Sequence, residues 1–516
     1  MHLLIARNLL NGLGHTYLEA NIQDISQIKA VSINFWPPGY SLLLIPFLAL
    51  GLNSLLIITL TDCLAILLVY FIWYEILKNV FKKNFPTLVL IVFTSFTFGF
   101  TPLGMYYSLG TNIWAVIWFS LAIFQIIKIY DNRISLNWVS ICSLYLFVFL
   151  CSFFRYSYYP ISLVLSLSLL VVFYKTIFFK KAVLSLIIPL VIFASFLSYQ
   201  KFQSNNLNYV DTFHEKDNQT IYLKNLEKTS AIISNSFLYP INYKSTNLIS
   251  STFLFLQDYK TLNKKQIFNT SLKIAFILCL SVLLVLALIN VYKKLSLIPK
   301  RFFILFLTLI VSQILFFVML SVKYPPEIFR GVNSVSSWTY VEEVRYYNAI
   351  NLIIMVSGIW ALISFRKRLA YILLFLIACF NFVKFIKQKS ELSLNINSNI
   401  EKKSFWILKS IPSSMVLPKS VFYEKKLVQR KSNYHFVSVM YAEKGIPTLK
   451  YLPPEDLKTN EAINLIFAID RIESDGGDSV FKKLIHKNEA RKLGTMFNRK
   501  VDIWSIEFKP GQHLNL

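Results

Sequence analysis

The sequence predicts an all-α polytopic membrane bundle of about ten transmembrane helices and one outer interfacial helix, followed by a small external α/β domain. Three observations predict it. Of 516 residues 55% are hydrophobic, and the mean hydropathy is +0.52, well beyond what a soluble chain of this length carries. Several apolar runs are about 20 residues long, enough to cross a hydrocarbon core of about 30 Å as helix. The turns between these runs are alternately rich and poor in Lys and Arg, the asymmetry that orients a membrane protein.

Ten runs read as spans: 53–78, 86–102, 111–129, 137–153, 158–175, 182–199, 271–291, 302–322, 347–365 and 369–386. The turns 79–85, 128–137, 175–181, 292–301 and 366–368 are basic, with Asp131 their single acid. The alternate loops 102–111, 153–158 and 323–346 hold only Arg155, Lys323, Arg330 and Arg345 as cations, with three glutamates. The basic set is therefore cytoplasmic. The other loops, the N-terminal loop 1–52, the loop 200–270 and the tail after 386 lie outside. This suits a multi-pass protein of a bacterial inner or plasma membrane. The run 39–51 is short for a span and would break the alternation, so it reads as a helix in the outer interface. The prolines and glycine of FWPPGYSLLLIPF, residues 35–47, then turn the chain onto that helix.

Two domains follow from this pattern, 1–386 in the membrane and 387–516 outside. In the tail, apolar and polar residues alternate at 462–469 and 501–508, which suggests strands, with a helical stretch near 479–492 between them. The formal charge of +26 lies largely in short turns, where it sets orientation, and nucleic acid is not expected as a partner. The five cysteines, Cys63, Cys142, Cys151, Cys279 and Cys379, fall inside apolar runs without a CxxC and read as buried thiols. Six histidines lack ligand spacing, and DGGD at 475–478 reads as a turn before it reads as a cation site, so no metal site is assigned. Phosphate loops, dinucleotide fingerprints, HExxH and GxSxG are absent from the sequence.

Chemistry-bearing residues gather in the external segments. IARNLLNGLGH occupies 5–15, RYSYYP 155–160 and VEEVRYY 341–347. An arginine beside tyrosines at the outer boundary is either an interfacial anchor with a snorkelling side chain or a holder of phosphate through charge-assisted donors. Asp62 is an acid inside the first complete span, towards its outer end. Such residues mark function or hydrogen bonding within the bundle.

The order IARNLLNGLGH, FWPPGYSLLLIPF, a spanning helix, FRYSYYP and VRYY resembles the multispanning GT-C glycosyltransferases. It is most similar to the dolichyl-phosphate-mannose–protein mannosyltransferase and aminoarabinose transferase group, over roughly residues 1–386. The resemblance implies transfer of a sugar from a polyprenyl-phosphate carrier to an acceptor glycan, lipid or protein on the external face. The partners are then the lipid-linked sugar, the acceptor and membrane lipids; the donor substrate, and no certain cofactor, is implied. The prolyl corner would wall a lipid-facing cleft. A carboxylate of the first external loop takes the acceptor proton, and basic residues stabilise the leaving phosphate. On this resemblance Arg345 contacts the phosphate and Tyr346 orients it, with Arg155 and Tyr156 as a second contact. Glu342 and Glu343 are placed beside Arg345 or Lys323. The family carries an acid just before the segment like IARNLLNGLGH, and a spanning helix before that; neither stands between Met1 and Ile5, so Asp24 is the candidate base. Where relatives often carry Glu or Asp near the start of the third helix, this chain has Asn112. The alternatives are a polysaccharide polymerase or ligase, a transporter, and a non-catalytic relative that binds lipid or a partner.

Overall fold

The computed structural model describes residues 2–20, 24–32, 37–52, 54–81, 110–130, 136–204, 297–323, 412–424, 444–450, 459–470, 490–496 and 501–510, with a few isolated positions besides. They belong to two compact units. One comprises Met1–Ile33, Ser41–Thr59 and Glu391–Leu516, the other Asn34–Tyr40 and Leu60–Ser390.

The first unit is built on a seven-stranded mixed sheet in the order β2-β1-β4-β3-β5-β7-β6. Its strands are β1 (Thr16–Ala20), β2 (Ile28–Ser32), β3 (Ser420–Glu424), β4 (Thr448–Lys450), β5 (Ile463–Asp470), β6 (Arg491–Met496) and β7 (Val501–Phe508). β5 and β7 pair antiparallel along their full length, from Ile463 opposite Phe508 to Asp470 opposite Val501. These are the two strands that the alternating tail residues predict. β3 runs parallel to β5 and to β4, and β4 meets β1 in parallel at Thr448 and Glu19. A boundary at 387 therefore encloses only part of the sheet, because the hairpin of residues 16–32 completes it. The expected helix near 479–492 also ends too late: Arg491 and Lys492 lie in β6.

The physical reason for the composite sheet is visible in β5. Ile463, Leu465 and Phe467 face one core with Val421, Ile506, Phe508, Ala20 and Ile25. Ile466 and Ala468 face a second core with Met415, Phe422, Tyr441 and Ile503. A central strand buried on both sides needs cover on both, and the N-terminal segment supplies part of it. The segment IARNLLNGLGH leads into the hairpin. Helix α1 (His2–Leu10) ends where Gly12, at φ 75°, lets Leu13 N donate to the Asn8 carbonyl at 2.8 Å and Gly12 N to Leu9 at 3.2 Å. This paired arrangement satisfies the last helical carbonyls and needs a residue that tolerates positive φ. The Asn8 side chain then donates to the Thr16 carbonyl at 2.9 Å, fixing the start of β1.

Asp24 closes the hairpin onto the tail. Its carboxylate accepts from Ser26 N and Oγ at 3.1 and 2.6 Å, and from Asn460 N and Nδ2 at 3.1 and 2.8 Å. Burial raises its pKa, but these four donors outweigh it and hold the carboxyl below its ordinary value of 3.8. Asp24→Ala is expected to destabilise the first unit by about 1–3 kcal/mol, since Asn460 loses an anionic acceptor. Hydrogen exchange of residues 16–32 in the full-length protein should quicken. Because the folded pKa is depressed, the clasp is complete above the ordinary carboxyl pKa and is lost as pH falls through the folded value.

The second unit is helical. Helix α2 (Pro38–Ala49) starts in it and continues from Ser41 in the first unit, α3 (Ser54–Phe81) belongs to the second unit from Leu60 on, and α4 (Gly110–Tyr130) and α5 (Trp138–Phe154) follow within it. A single 3-10 turn, Tyr156–Tyr158, leads into α6 (Tyr159–Ser166) and α7 (Ser168–Phe173). Then come α8 (Phe179–Ser185), α9 (Ile187–Ser204) and α10 (Leu297–Lys323). Among the described residues four helices are long and apolar enough to cross a membrane: Leu56–Ile76, Gly110–Tyr130, Tyr156–Phe173 and Phe179–Tyr199. The protein is a membrane protein, with a small sheet besides. The expected spans 158–175 and 182–199 are each interrupted, at Leu167 and Leu186. The interruption at Leu167 is mild, since its N–H is shared between the Leu163 and Val164 carbonyls. The run 39–51 is a helix, as expected, and the runs 86–102, 347–365 and most of 271–291 and 369–386 lie outside the described residues. Cys151 is buried within the helical unit, whereas Cys63 and Cys142 lie on exposed faces of apolar helices.

Hydrogen bonds between spans fix their ends. Trp73 Nε1 donates to Ser120 Oγ at 2.8 Å, which sets α3 beside α4. Arg301 Nη1 donates to the Val172 carbonyl at 2.9 Å, and Gln313 Nε2 to the Ser157 carbonyl at 3.0 Å. α10 is therefore antiparallel to the helices from Tyr156 to Phe173, and Arg301 near its start lies over the Tyr174 ring.

Candidate functional site

The end of the helical unit opposite the basic turn at 175–181 carries a buried polar cluster. It is built by four chain segments: the corner at 38–40, the upper part of α3, the first turn of α4, and the turn between α5 and α6. Pro38 occupies the first position of α2, where its missing N–H costs nothing. Gly39 then lies against the last turn of α5. A β-carbon there would sit 2.7 Å from Phe154 Cδ2 and 2.8 Å from the Phe153 carbonyl oxygen. Only glycine allows the corner this close. Tyr40 follows, buried, with its hydroxyl 3.3 Å from Thr61 Oγ1. Burial, and then the Asp62 charge, push the Tyr40 hydroxyl well above its ordinary pKa, so it remains protonated.

Asp62 Oδ1 accepts from Gly110 N at 3.1 Å. An acid at a helix N-terminus satisfies an orphan donor and meets the positive end of the helix dipole. One residue on, Thr111 Oγ1 accepts from Arg155 Nη1 at 3.3 Å. Both ionisable side chains are buried, at 6% and 7% exposure, so neither is a snorkelling anchor at a wet surface. Tyr156 stacks on Tyr159 with ring centroids 5.6 Å apart, and Trp114 stacks on Phe154 at 6.1 Å. Gln313 reaches the same turn from α10 through the Ser157 carbonyl.

The structure thus brings together Arg155, Tyr156, Asn112, Asp62 and the prolyl corner, which lie far apart in sequence. Asp24 belongs to the other unit, where its carboxylate is taken up by Ser26 and Asn460. Arg345, Tyr346, Glu342 and Glu343 lie outside the described residues. Sequence reasoning missed Thr111 and Gln313. The second carried a signal, a lone amide in the apolar run ILFLTLIVSQILFFVML, and a polar side chain in a span is costly enough to ask for a partner. Among the described residues no three His, Cys, Asp or Glu side chains converge as a metal site.

Comparison of the chain with protein-family models, with characterised proteins and with solved structures returned no match.

What the cluster can do follows from its atoms. A buried guanidinium, one of whose nitrogens bonds Thr111, supplies fixed positive charge in a low-dielectric setting. Buried tyrosyl and indole rings supply flat apolar surface. Amide and hydroxyl groups supply neutral hydrogen bonds. The combination suits a ligand with an anionic group, an apolar part and hydroxyls.

Proposed function

We propose that the chain is a membrane glycosyltransferase that moves a sugar from a polyprenyl-phosphate carrier to a glycan, lipid or protein acceptor on the external face. The observation that carries the reading is convergence: the prolyl corner, the start of α4 and the turn Arg155–Tyr158 meet in one buried cluster. Two of these segments, the prolyl corner and the turn at Arg155, belong to the ordered motifs that resemble the GT-C enzymes. In this reading all ten apolar runs span a bacterial inner or plasma membrane, with the sheet-bearing unit outside.

The chemistry is a displacement at the anomeric carbon. A base takes the acceptor hydroxyl proton, the acceptor oxygen bonds to that carbon, and the bond to the carrier phosphate breaks with its electron pair leaving on phosphate. Arg155 stabilises that developing charge, together with Arg345 and Tyr346. The four donors on Asp24 lower its basicity, so we assign it to holding the first loop onto the tail strands and not to proton transfer. The same observation favours one second reading, a relative that binds lipid without turnover.

The test is a deletion strain complemented with the wild-type chain or with Arg155→Gln, its envelope glycans, lipids and proteins compared by mass spectrometry. A sugar lost on deletion, restored by wild type and not by the variant, is expected. Identical profiles in all strains would sink the reading as an enzyme.

A further inference from the structure

We propose that the basic turn between α7 and α8, with the start of α10, holds the phosphate of an anionic phospholipid at the membrane boundary. The site stands on the membrane placement of the helices alone and not on sugar transfer. Two cations converge on one ring. The Arg301 guanidinium carbon lies 5.9 Å from the centroid of the Tyr174 ring, and Lys175 Nζ lies 5.5 Å from the same centroid. Tyr174 meets Phe179 edge-on at 5.7 Å, and Phe173 meets Phe178 at 5.8 Å. These pairs close the turn, so Lys180, next in the chain to Phe179, starts from the same corner. α10 packs on α6 and α7, and α8 packs on α7, which makes the corner part of one packed body.

The positive charge there has no carboxylate beside it in the helices that build the corner. Arg301 is 9% exposed, and its Nη1 donates to the Val172 carbonyl at 2.9 Å. A carbonyl satisfies a donor but does not neutralise a unit charge, and a cation drawn out of water calls for an anion. Helices α4 to α10 contain no Asp or Glu. Lys175 is held in the left-handed region, at φ 57°, which a residue with a β-carbon adopts only at a cost. The turn fixes it there, with Thr176 N donating to the Phe173 carbonyl at 3.0 Å and Phe179 N to the Thr176 carbonyl at 3.1 Å.

The apolar residues of the turn select the occupant. Between Lys175 and Lys180 stand Ile177, 89% exposed, and Phe178, also exposed. An apolar tip flanked by cations matches a bilayer boundary, where hydrocarbon takes the tip and headgroup phosphates take the charges. An acidic peptide would match the cations but not Ile177 and Phe178. A guanidinium offers a phosphate several donors in one plane, and the lysines add point charges around it. A zwitterionic lipid brings its own cation into the same corner, so the class selected is a lipid with net negative charge.

The test titrates the full-length protein in detergent with dioleoyl phosphatidylglycerol or dioleoyl phosphatidylcholine and counts bound lipid by native mass spectrometry. Wild type is expected to bind phosphatidylglycerol more tightly. Arg301→Gln and the double variant Lys175→Gln/Lys180→Gln, at two exposed positions, are each expected to lower that preference by about fivefold for each cation removed. Lys78→Gln removes an exposed cation that lies over Tyr74 of its own helix, and is expected to leave the preference unchanged. A wild type that binds both lipids alike overturns the site, as does an unchanged preference in the double variant. An equal fall in Lys78→Gln also overturns it, because net charge alone would then explain the binding. Displacement of phosphatidylglycerol by inorganic phosphate at equal concentration would assign the corner to the free anion and overturn the lipid. If Arg301→Gln fails to fold, the double variant carries the same comparison.

Discussion

Gly39→Val is expected to lower the melting temperature of the full-length protein in detergent more than any other single substitution at the corner. The reason is contact geometry. The first side-chain carbon would meet the Phe153 carbonyl oxygen at 2.8 Å and Phe153 Cδ1 at 2.9 Å, with Phe154 Cδ2 closer still. A ring can turn away, but a carbonyl in the last turn of a helix cannot move without losing its own geometry. Overpacking of this kind costs about 1–3 kcal/mol, and more where backbone is the obstacle. Gly39→Ala should therefore already be destabilising, and valine worse. Gly12→Ala provides the contrast: nothing lies within 4 Å of a β-carbon there, so its cost comes only from the positive φ and is about 1 kcal/mol. A Gly39→Ala protein that melts with wild type would show that the corner does not press on α5.

On the function proposed above, Arg155→Lys is expected to reduce glycosyl transfer by about a hundredfold or more, the scale seen when one fixed donor to developing charge is removed. The charge is conserved in this variant and the fork of donors is not. A guanidinium can bond Thr111 with one nitrogen and a ligand oxygen with others, whereas an ammonium is a point charge on a flexible stem. Arg155→Leu should lose activity and also stability, because the buried Thr111 hydroxyl loses its donor. Transfer rates in proteoliposomes, read beside melting temperatures, separate the two variants. Lysine that restores full activity would reduce Arg155 to a source of positive charge and remove the case for a shaped phosphate site.

Much of the helical architecture was legible because hydrophobic length is a local property. The helices at 54–81, 110–130 and 138–154 lie within a few residues of the apolar runs that foretell them, and strands β5 and β7 sit on the alternating stretches of the tail. Polar positions were legible one by one, as with Arg155, Asp62 and Asn112. Their shared location was not, since nothing local relates residue 62 to residue 110 or residue 313 to residue 157. The pairing of the first loop with the tail strands was not legible for the same reason. The pairing of Glu19 with Thr448 joins strands more than 400 residues apart, and no periodicity encodes which edge a short hairpin will choose.

By itself the sequence determined that this is a membrane protein, where several of its long apolar helices run, and that WPPG had to be a corner, because proline and hydrophobic length act on the chain locally. The tertiary structure decided the rest. It decided that the glycine of that corner serves contact with α5, that Asp24 is a clasp to Asn460, and that Arg155 and Asp62 hold successive residues of one helix start. Those outcomes depend on burial. A charge or an amide withdrawn from water must find a partner, and which partner it finds is set by how the helices and strands pack.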